Sequence, residues 1–196
     1  KSLISIDKLI KYAQKNKLNA LAIADDSMYA SYKFYQACIN NNIKPIIGIN
    51  IKCEEFKNVE MVIYAKSHRG YLNLMSLISI YKVNGKITNT DLAKFASDTI
   101  SILLFENINA FHNVKELNFL RTAFQDLYVG ITKEQLSNLA QIKQNNIYDL
   151  KLVALNHIYY LENDDLNAYL TLDALKNKTN HKRFAKKIDY HFLSEN

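Results

Sequence analysis

Four side chains of this sequence have the chemistry of a hydrolytic metal centre: Asp25, Asp26, Glu60 and His157. A divalent metal that activates water needs several carboxylate or imidazole ligands that converge on one point and leave one position open. The four residues lie at or beside the ends of predicted strands, where α/β proteins display reactive groups. They therefore form a candidate metal site.

The same residues also fit structural roles. Asp25 and Asp26 are adjacent, so in extended backbone their side chains point to opposite faces and only one can enter a given pocket. Asp26 precedes a predicted helix, which is the position of an N-cap. His157 stands alone in its segment, and a single histidine is more often a hydrogen-bonded structural residue than a ligand. Residue types and spacing leave both interpretations open.

The tyrosines suggest a second kind of site. The chain has 13 tyrosines and no tryptophan, and exposed aromatic rings can stack on nucleic-acid bases. Tyr29, Tyr32 and Tyr35 fall close together on one predicted helix. Their helical spacing is also typical of side chains that pack against a sheet, and we predict that they belong to the core.

The segments that position these residues alternate between strand and helix patterns. Short apolar runs predict about six strands, and apolar stripes that follow capping residues predict the helices between them. This alternation predicts a parallel sheet with right-handed crossovers, in which the first strand is buried on both faces. We predict one α/β domain over residues 1–175 and a basic extension over residues 176–196. The predicted strands cover residues 18–24, 45–49, 59–65, 99–105, 127–131 and 152–155.

Composition excludes several classes of protein. Hydrophobic residues make up 48% of the chain and charged residues 22%, which is typical of a folded protein and not of a disordered one. No apolar run approaches the roughly 20 residues of a membrane helix, and no glycine-rich phosphate loop or nucleophile elbow is present. We expect a cytoplasmic protein without membrane contact, with reduced thiols at Cys38 and Cys53. Because the sequence starts with Lys1 and not with Met, we expect it to be part of a longer protein.

The formal net charge is +6, and much of the excess lies near the end of the chain. A run of like charges is usually a solvated face, and this one has no interleaved aromatic residues to stack on bases. It still permits contact with a phosphate backbone. The candidate DNA contacts are Lys182, Arg183, Lys186 and Lys187.

Three segments, in order, carry a resemblance to a known family. The stretch ALAIADDSMYASYKFYQACINNNIKPIIGINI is followed by VEMVIYAKSHRGYLNLMSL at residues 59–77 and VALNHIYYLENDDLNAYLTLDAL at residues 153–175. Together they resemble the polymerase-and-histidinol-phosphatase (PHP) domain of bacterial DNA polymerase III alpha subunits. Residues 85–150 match that family only in pattern. The resemblance implies a distorted (β/α)7 barrel whose strand ends hold a cluster of divalent metals in active members.

The sequence departs from the family pattern at the metal-binding positions. The opening H-x-H strand is missing or truncated, because the first residues correspond to the segment just after it. The family's D-H pair corresponds to Asp25 and Asp26. Other family ligands are replaced by Asn50, Glu60, His157 and Tyr159, and a tyrosine with its ordinary pKa near 10 is a poor ligand at neutral pH. We therefore interpret these six positions as a vestigial pocket and expect no catalytic residue, metal or cofactor in this domain.

Three hypotheses follow. The first is a scaffold domain in a replicative polymerase chain, where the basic extension leads towards the polymerase core and other replisome subunits and DNA are partners of the whole protein. The second is a metal-dependent phosphoesterase or 3′–5′ exonuclease with an altered site at Asp25, Asp26, Glu60 and His157. The third is a nucleic-acid-binding module that uses the basic residues 176–187.

Overall fold

The computed structural model describes residues 3–52, 59–105, 114–138, 140, 149–155 and 157–177. Its residues fall into two compact units. The sheet unit comprises residues 19–154, and the terminal unit comprises residues 1–18 together with residues 155–196. The last described residue is Asn177, so most of the predicted basic extension lies outside the described residues.

The sheet unit contains one curled sheet of six strands in the order β1-β2-β3-β4-β5-β6. The six predicted strands are confirmed. Strands β1 and β2, β4 and β5, and β5 and β6 are parallel pairs, whereas β3 is antiparallel to both of its neighbours. The strands are β1 (Ala20–Asp25), β2 (Lys44–Lys52), β3 (Val59–Ala65), β4 (Thr99–Phe105), β5 (Asp126–Ile131) and β6 (Lys151–Ala154).

The prediction of a fully parallel sheet is wrong at β3. The connection from β2 spans only residues 53–58, which is too short for the crossover of a dozen or more residues that a parallel pair requires. After β3, two helices return the chain to the end of the sheet where it left, so that Ala65 pairs with Thr99. The short connection therefore imposes antiparallel pairing of β2 with β3, whereas the longer connection allows either direction and here returns to the same end of the sheet.

The prediction that the first strand is buried on both faces is also wrong. Ala20 and Ala22 of β1 are exposed, whereas Leu21 between them is buried. Among the described strands β1 pairs only with β2, so it is an edge strand. Its alternating burial is that of a strand with one covered face.

The helices begin largely where the capping residues predict. The Ser5 hydroxyl accepts a hydrogen bond from the Lys8 amide, and the Ser67 hydroxyl accepts one from the Gly70 amide at 3.2 Å. The capping pair Thr132 and Gln135 predicts a helix over residues 133–145; the structure shows a 3₁₀ helix at Lys133–Asn138, and residues 139 and 141–148 lie outside the described part. The α-helices are α1 (Ile6–Lys15), α2 (Ser31–Asn40), α3 (His68–Asn84), α4 (Asn89–Phe95), α5 (Val114–Ala123) and α6 (Leu166–Asn177).

The main core lies between one face of the sheet and the helices of the sheet unit. Alternation along β2 and β3 directs one set of side chains to this face, where they meet Leu74 and Leu77 of α3. Residues of the other parity lie on the opposite face. The core set from these two strands is Ile49, Ile51, Met61 and Ile63.

The tyrosines of α2 are not core residues, and the prediction that they pack against the sheet is wrong. Tyr29, Tyr32 and Tyr35 expose 91%, 67% and 46% of their surface. The face of α2 that meets the sheet is formed instead by Phe34 and Cys38, both fully buried. Cys38 is a free, buried cysteine, whereas Cys53 lies outside the described residues.

Candidate functional site

Two of the predicted site residues contact each other on the sheet. The side-chain amide of Asn50 in β2 donates a hydrogen bond to the Glu60 carboxylate in β3, and both residues are partly buried. Asn50 pairs with Val62 and Lys52 pairs with Glu60, so the contact runs diagonally between neighbouring pairs on one face. Here the structure brings together residues that are ten positions apart in the sequence.

Asp25 lies at the carboxyl end of β1, as predicted from the sequence, but on the other face of the sheet. It pairs with Ile49, a core residue, whereas Asn50 is the next residue along β2. Because neighbouring residues of a strand point to opposite faces, Asp25 and the Asn50–Glu60 pair lie on opposite sides of the sheet. Strand β1 ends at Asp25, and Asp26 lies in the bend that follows it.

The pKa of Asp25 is raised above its ordinary value of 3.8. The side chain keeps access to solvent, but partial desolvation of the carboxylate disfavours its charged form, and the neighbouring charge of Asp26 adds to this effect.

Asp26 does not provide the predicted helix cap. Helix α2 begins at Ser31, its N-cap position is Ala30, and no side chain caps it by a hydrogen bond. The capping prediction placed the helix start too early, because a turn at residues 29–30 separates the acidic pair from the helix.

His157 and Tyr159 belong to the terminal unit, not to the sheet unit that holds the other four positions. Their rings stack with centroids 6.0 Å apart, and Tyr159 stacks in turn on Tyr169 of α6 at 5.4 Å. The Tyr159 carbonyl accepts a hydrogen bond from the Leu3 amide at 2.9 Å. Within this unit both residues take part in an aromatic stack beside α6.

Tyr64, a residue that the sequence patterns did not single out, lies on the same face as Asn50 and Glu60. Tyr64 pairs with Gly48, and a Cβ atom built at Gly48 would lie 2.5 Å from the tyrosine ring. Burial raises the pKa of the Tyr64 hydroxyl above 10.0. The alternation of Glu60, Val62 and Tyr64 is the signal that places them on one face.

Within the described part of the chain, no three His, Cys, Asp or Glu side chains lie close enough together to hold a metal ion. Nor is any helix described by the structure long and apolar enough to cross a membrane. The candidate DNA contacts Lys182, Arg183, Lys186 and Lys187 lie outside the described residues.

Comparison with known proteins defines the class. The PHP domain family profile matches residues 1–185, so the chain belongs to the PHP domain family and the resemblance is confirmed. A solved structure, a candidate metal-dependent phosphoesterase from Bifidobacterium adolescentis, aligns with a TM-score of 0.51 at 11% identity. The alignment covers 78% of this chain and 82% of that protein, and it supports the fold alone.

The curated relatives described here are DNA polymerase III alpha subunits. The DNA polymerase III subunit alpha of Staphylococcus aureus strain MRSA252 is 29% identical over 200 residues, which is 100% of this chain and 18% of the relative. That of Ureaplasma parvum serovar 3 is 28% identical over 203 residues, 100% of this chain and 17% of the relative. The chain is thus homologous to one part of these polymerase subunits and spans less than a fifth of their length.

Proposed function

We propose that this chain is the PHP domain of a replicative DNA polymerase III alpha subunit and serves there as a metal-free scaffold. DNA-directed DNA synthesis then belongs to parts of the polymerase outside this chain. The similarity to polymerase alpha subunits over the whole of this chain supports the parent protein. In this proposal the rest of the polymerase chain is the first partner, DNA and other replisome subunits are partners of the whole protein, and the location is cytoplasmic.

The observation that carries the scaffold proposal is the hydrogen bond between Asn50 and Glu60. In this hydrogen bond the Glu60 carboxylate accepts from the side-chain amide of Asn50, and the neutral Asn50 side chain contributes no charge. Asp25 lies on the opposite face of the sheet and cannot complete a ligand set with Glu60. Among the described residues of the sheet unit, this arrangement supports a site without the cluster of divalent metals that the family resemblance implies.

We also propose that the six-stranded sheet is the larger part of a distorted (β/α)7 barrel whose first strand is missing or truncated in this chain. The edge position of β1 and the fold shared with the Bifidobacterium protein support this architecture. The reading frame around the coding sequence tests both proposals. A frame that continues well beyond Asn196 into polymerase sequence is expected, and a stop codon close to Asn196 would contradict the parent protein.

The second candidate is a metal-dependent phosphoesterase or exonuclease with an altered site, the first of these being the activity by which the Bifidobacterium protein of the same fold is described. It predicts hydrolysis of single-stranded DNA that Mn²⁺ or Zn²⁺ stimulates and that Asp25→Asn abolishes. Assays of the full chain and of Asp25→Asn with each metal separate the candidates. The scaffold proposal predicts no hydrolysis above the buffer control in either protein, whereas metal-stimulated hydrolysis by the unmodified chain alone would support the enzyme.

A further inference from the structure

The outward side of α2 and the turn before it present aromatic rings to solvent. Tyr29, Tyr32 and Tyr35, called here the tyrosine face, succeed one another at intervals of three residues and expose 91%, 67% and 46% of their surface. The Tyr32 hydroxyl accepts a hydrogen bond from the Gln36 side chain at 2.8 Å, one turn further along. Phe34 and Cys38 anchor the opposite side of the helix in the core.

We propose that the tyrosine face binds single-stranded nucleic acid by stacking bases on its rings. Every base has a π-face, so such stacking tolerates any sequence. Tyr29 lies in the turn before α2, Tyr32 and Tyr35 lie about one turn apart on the helix, and an α-helix rises about 1.5 Å per residue. A short run of bases can therefore meet two or three rings without bending the helix.

Charge favours a polyanion as the occupant. No Asp or Glu occurs between Ser27 and Cys53, and the charged side chains of this segment are Lys33, Lys44 and Lys52. Lys33 is exposed on the same helix, directly after Tyr32. Asp25 and Asp26 precede the tyrosine face and repel phosphates. The phosphate backbone of the bound nucleic acid is therefore expected to run from Tyr29 towards the lysines.

The residue types also favour nucleic acid over an apolar protein surface. Ile39, half exposed, is the one exposed aliphatic residue larger than alanine on α2, and the other large exposed apolar side chains there are tyrosines. Aromatic rings beside lysines, with few aliphatic side chains, are typical of single-strand binding sites. The proposal does not depend on the parent protein, because it concerns residues of the described sheet unit alone.

Fluorescence anisotropy of a labelled oligothymidylate of about 12 nucleotides tests the proposal with the full chain. Replacement of Tyr29, Tyr32 or Tyr35 by Ala is expected to weaken binding about tenfold each at about 50 mM salt. Tyr→Phe variants keep the ring and should bind within about twofold of the unmodified chain. Tyr→Leu variants keep apolar surface without a π-face, so they should lose affinity as the Ala variants do.

Two controls make the test specific. Leu72→Ala removes a comparably exposed apolar side chain from α3 and should leave the affinity unchanged. Lys33→Ala should reduce the slope of log K against log salt by about 0.7, as expected for one phosphate contact with a single strand. Absence of binding by the unmodified chain would overturn the proposal. Full affinity in the triple Ala variant would overturn it too. Self-association that the triple Ala variant abolishes, without oligonucleotide binding, would assign the face to protein contact instead.

Discussion

The side-chain amide of Asn50 donates a hydrogen bond to the carboxylate of Glu60 across the antiparallel pair of β2 and β3. The two residues come from neighbouring register pairs, Asn50 with Val62 and Lys52 with Glu60. Both side chains are partly buried, so leaving either polar group without a hydrogen bond would be costly. Each side chain supplies the hydrogen-bond partner of the other. In the proposed scaffold, this contact takes the place of a metal–carboxylate contact.

Replacing Asn50 by Asp should therefore destabilise the protein. Two carboxylates would face each other, and the loss is expected to be about 1–3 kcal/mol in the free energy of unfolding at neutral pH. Like charges raise carboxyl pKa values in the folded state, so the loss should shrink as the pH falls towards 4. Urea unfolding at neutral pH and near pH 4 measures this loss in the free energy of unfolding.

The swapped double variant is the matched control for this prediction. Asn50→Asp combined with Glu60→Gln restores one amide and one carboxylate and should recover most of the stability. A double variant no more stable than Asn50→Asp alone would show that the contact between the two side chains does not govern the effect.

Asp25→Asn should stabilise the protein at neutral pH. Burial and Asp26 raise the folded pKa of Asp25 above 3.8, so the folded state binds the proton more tightly than the unfolded state. The stability that the tighter proton binding of Asp25 contributes is complete below the unfolded pKa and is lost as the pH rises through the folded pKa. Because the side chain is exposed, the gain at neutral pH should be under about 1 kcal/mol and should vanish near pH 3. Thermal melts of both proteins at pH 3 and 7 check the sign, and a loss of stability at neutral pH would contradict it.

Ser101→Ala should leave the free energy of unfolding unchanged or raise it. The Ser101 hydroxyl is fully buried in β4 and has no hydrogen-bond partner among the described residues. Removal of a buried unsatisfied hydroxyl relieves a desolvation cost of about 1–3 kcal/mol, which the small cavity partly offsets. Thr99 of the same strand provides the contrast, because its hydroxyl donates to the Ala96 carbonyl at 2.5 Å. Thr99→Val should lose about 1 kcal/mol. Equal losses in the two variants, measured by urea unfolding, would refute the distinction.

Gly48→Ala should destabilise the sheet. The added Cβ would lie 2.5 Å from the Tyr64 ring and 2.8 Å from the Ile63 carbonyl oxygen. The ring can move but the strand backbone cannot easily do so, and overpacking of this kind costs about 1–3 kcal/mol. In a Tyr64→Ala background, Gly48→Ala should cost less than it does in the unmodified chain but should still destabilise, because the carbonyl contact remains. A melting temperature unchanged by Gly48→Ala would contradict the close approach.

Local patterns predicted the strands and several helix starts, because these depend on spacing and on single capping residues. Ser67, for example, caps α3 where the sequence places it. The direction of β3 was not predictable from periodicity, since it follows from how the connections return the chain to the sheet. Exposure of Tyr32 was missed for a related reason. Helical spacing groups residues on a face, but it does not say that Phe34 and not Tyr32 meets the sheet.

The candidate site was predicted only in part. Asp25 was correctly placed at the end of a strand, because an apolar run precedes it. Its position on the face opposite Glu60 depends on register, which long-range pairing sets and spacing along the sequence does not reveal. The contact between Asn50 and Glu60 depends on the same register. His157 lies in a different unit from these residues because of tertiary packing, which local sequence patterns do not reveal.

Binding of Mn²⁺ and Zn²⁺ to the full chain tests the central claim most directly. Isothermal titration followed by elemental analysis of the dialysed protein should show no saturable site and less than about 0.1 equivalent of either metal, because the donor groups do not converge. Retention of one or more equivalents by the unmodified chain, lost in both Asp25→Asn and Glu60→Gln, would contradict the metal-free scaffold.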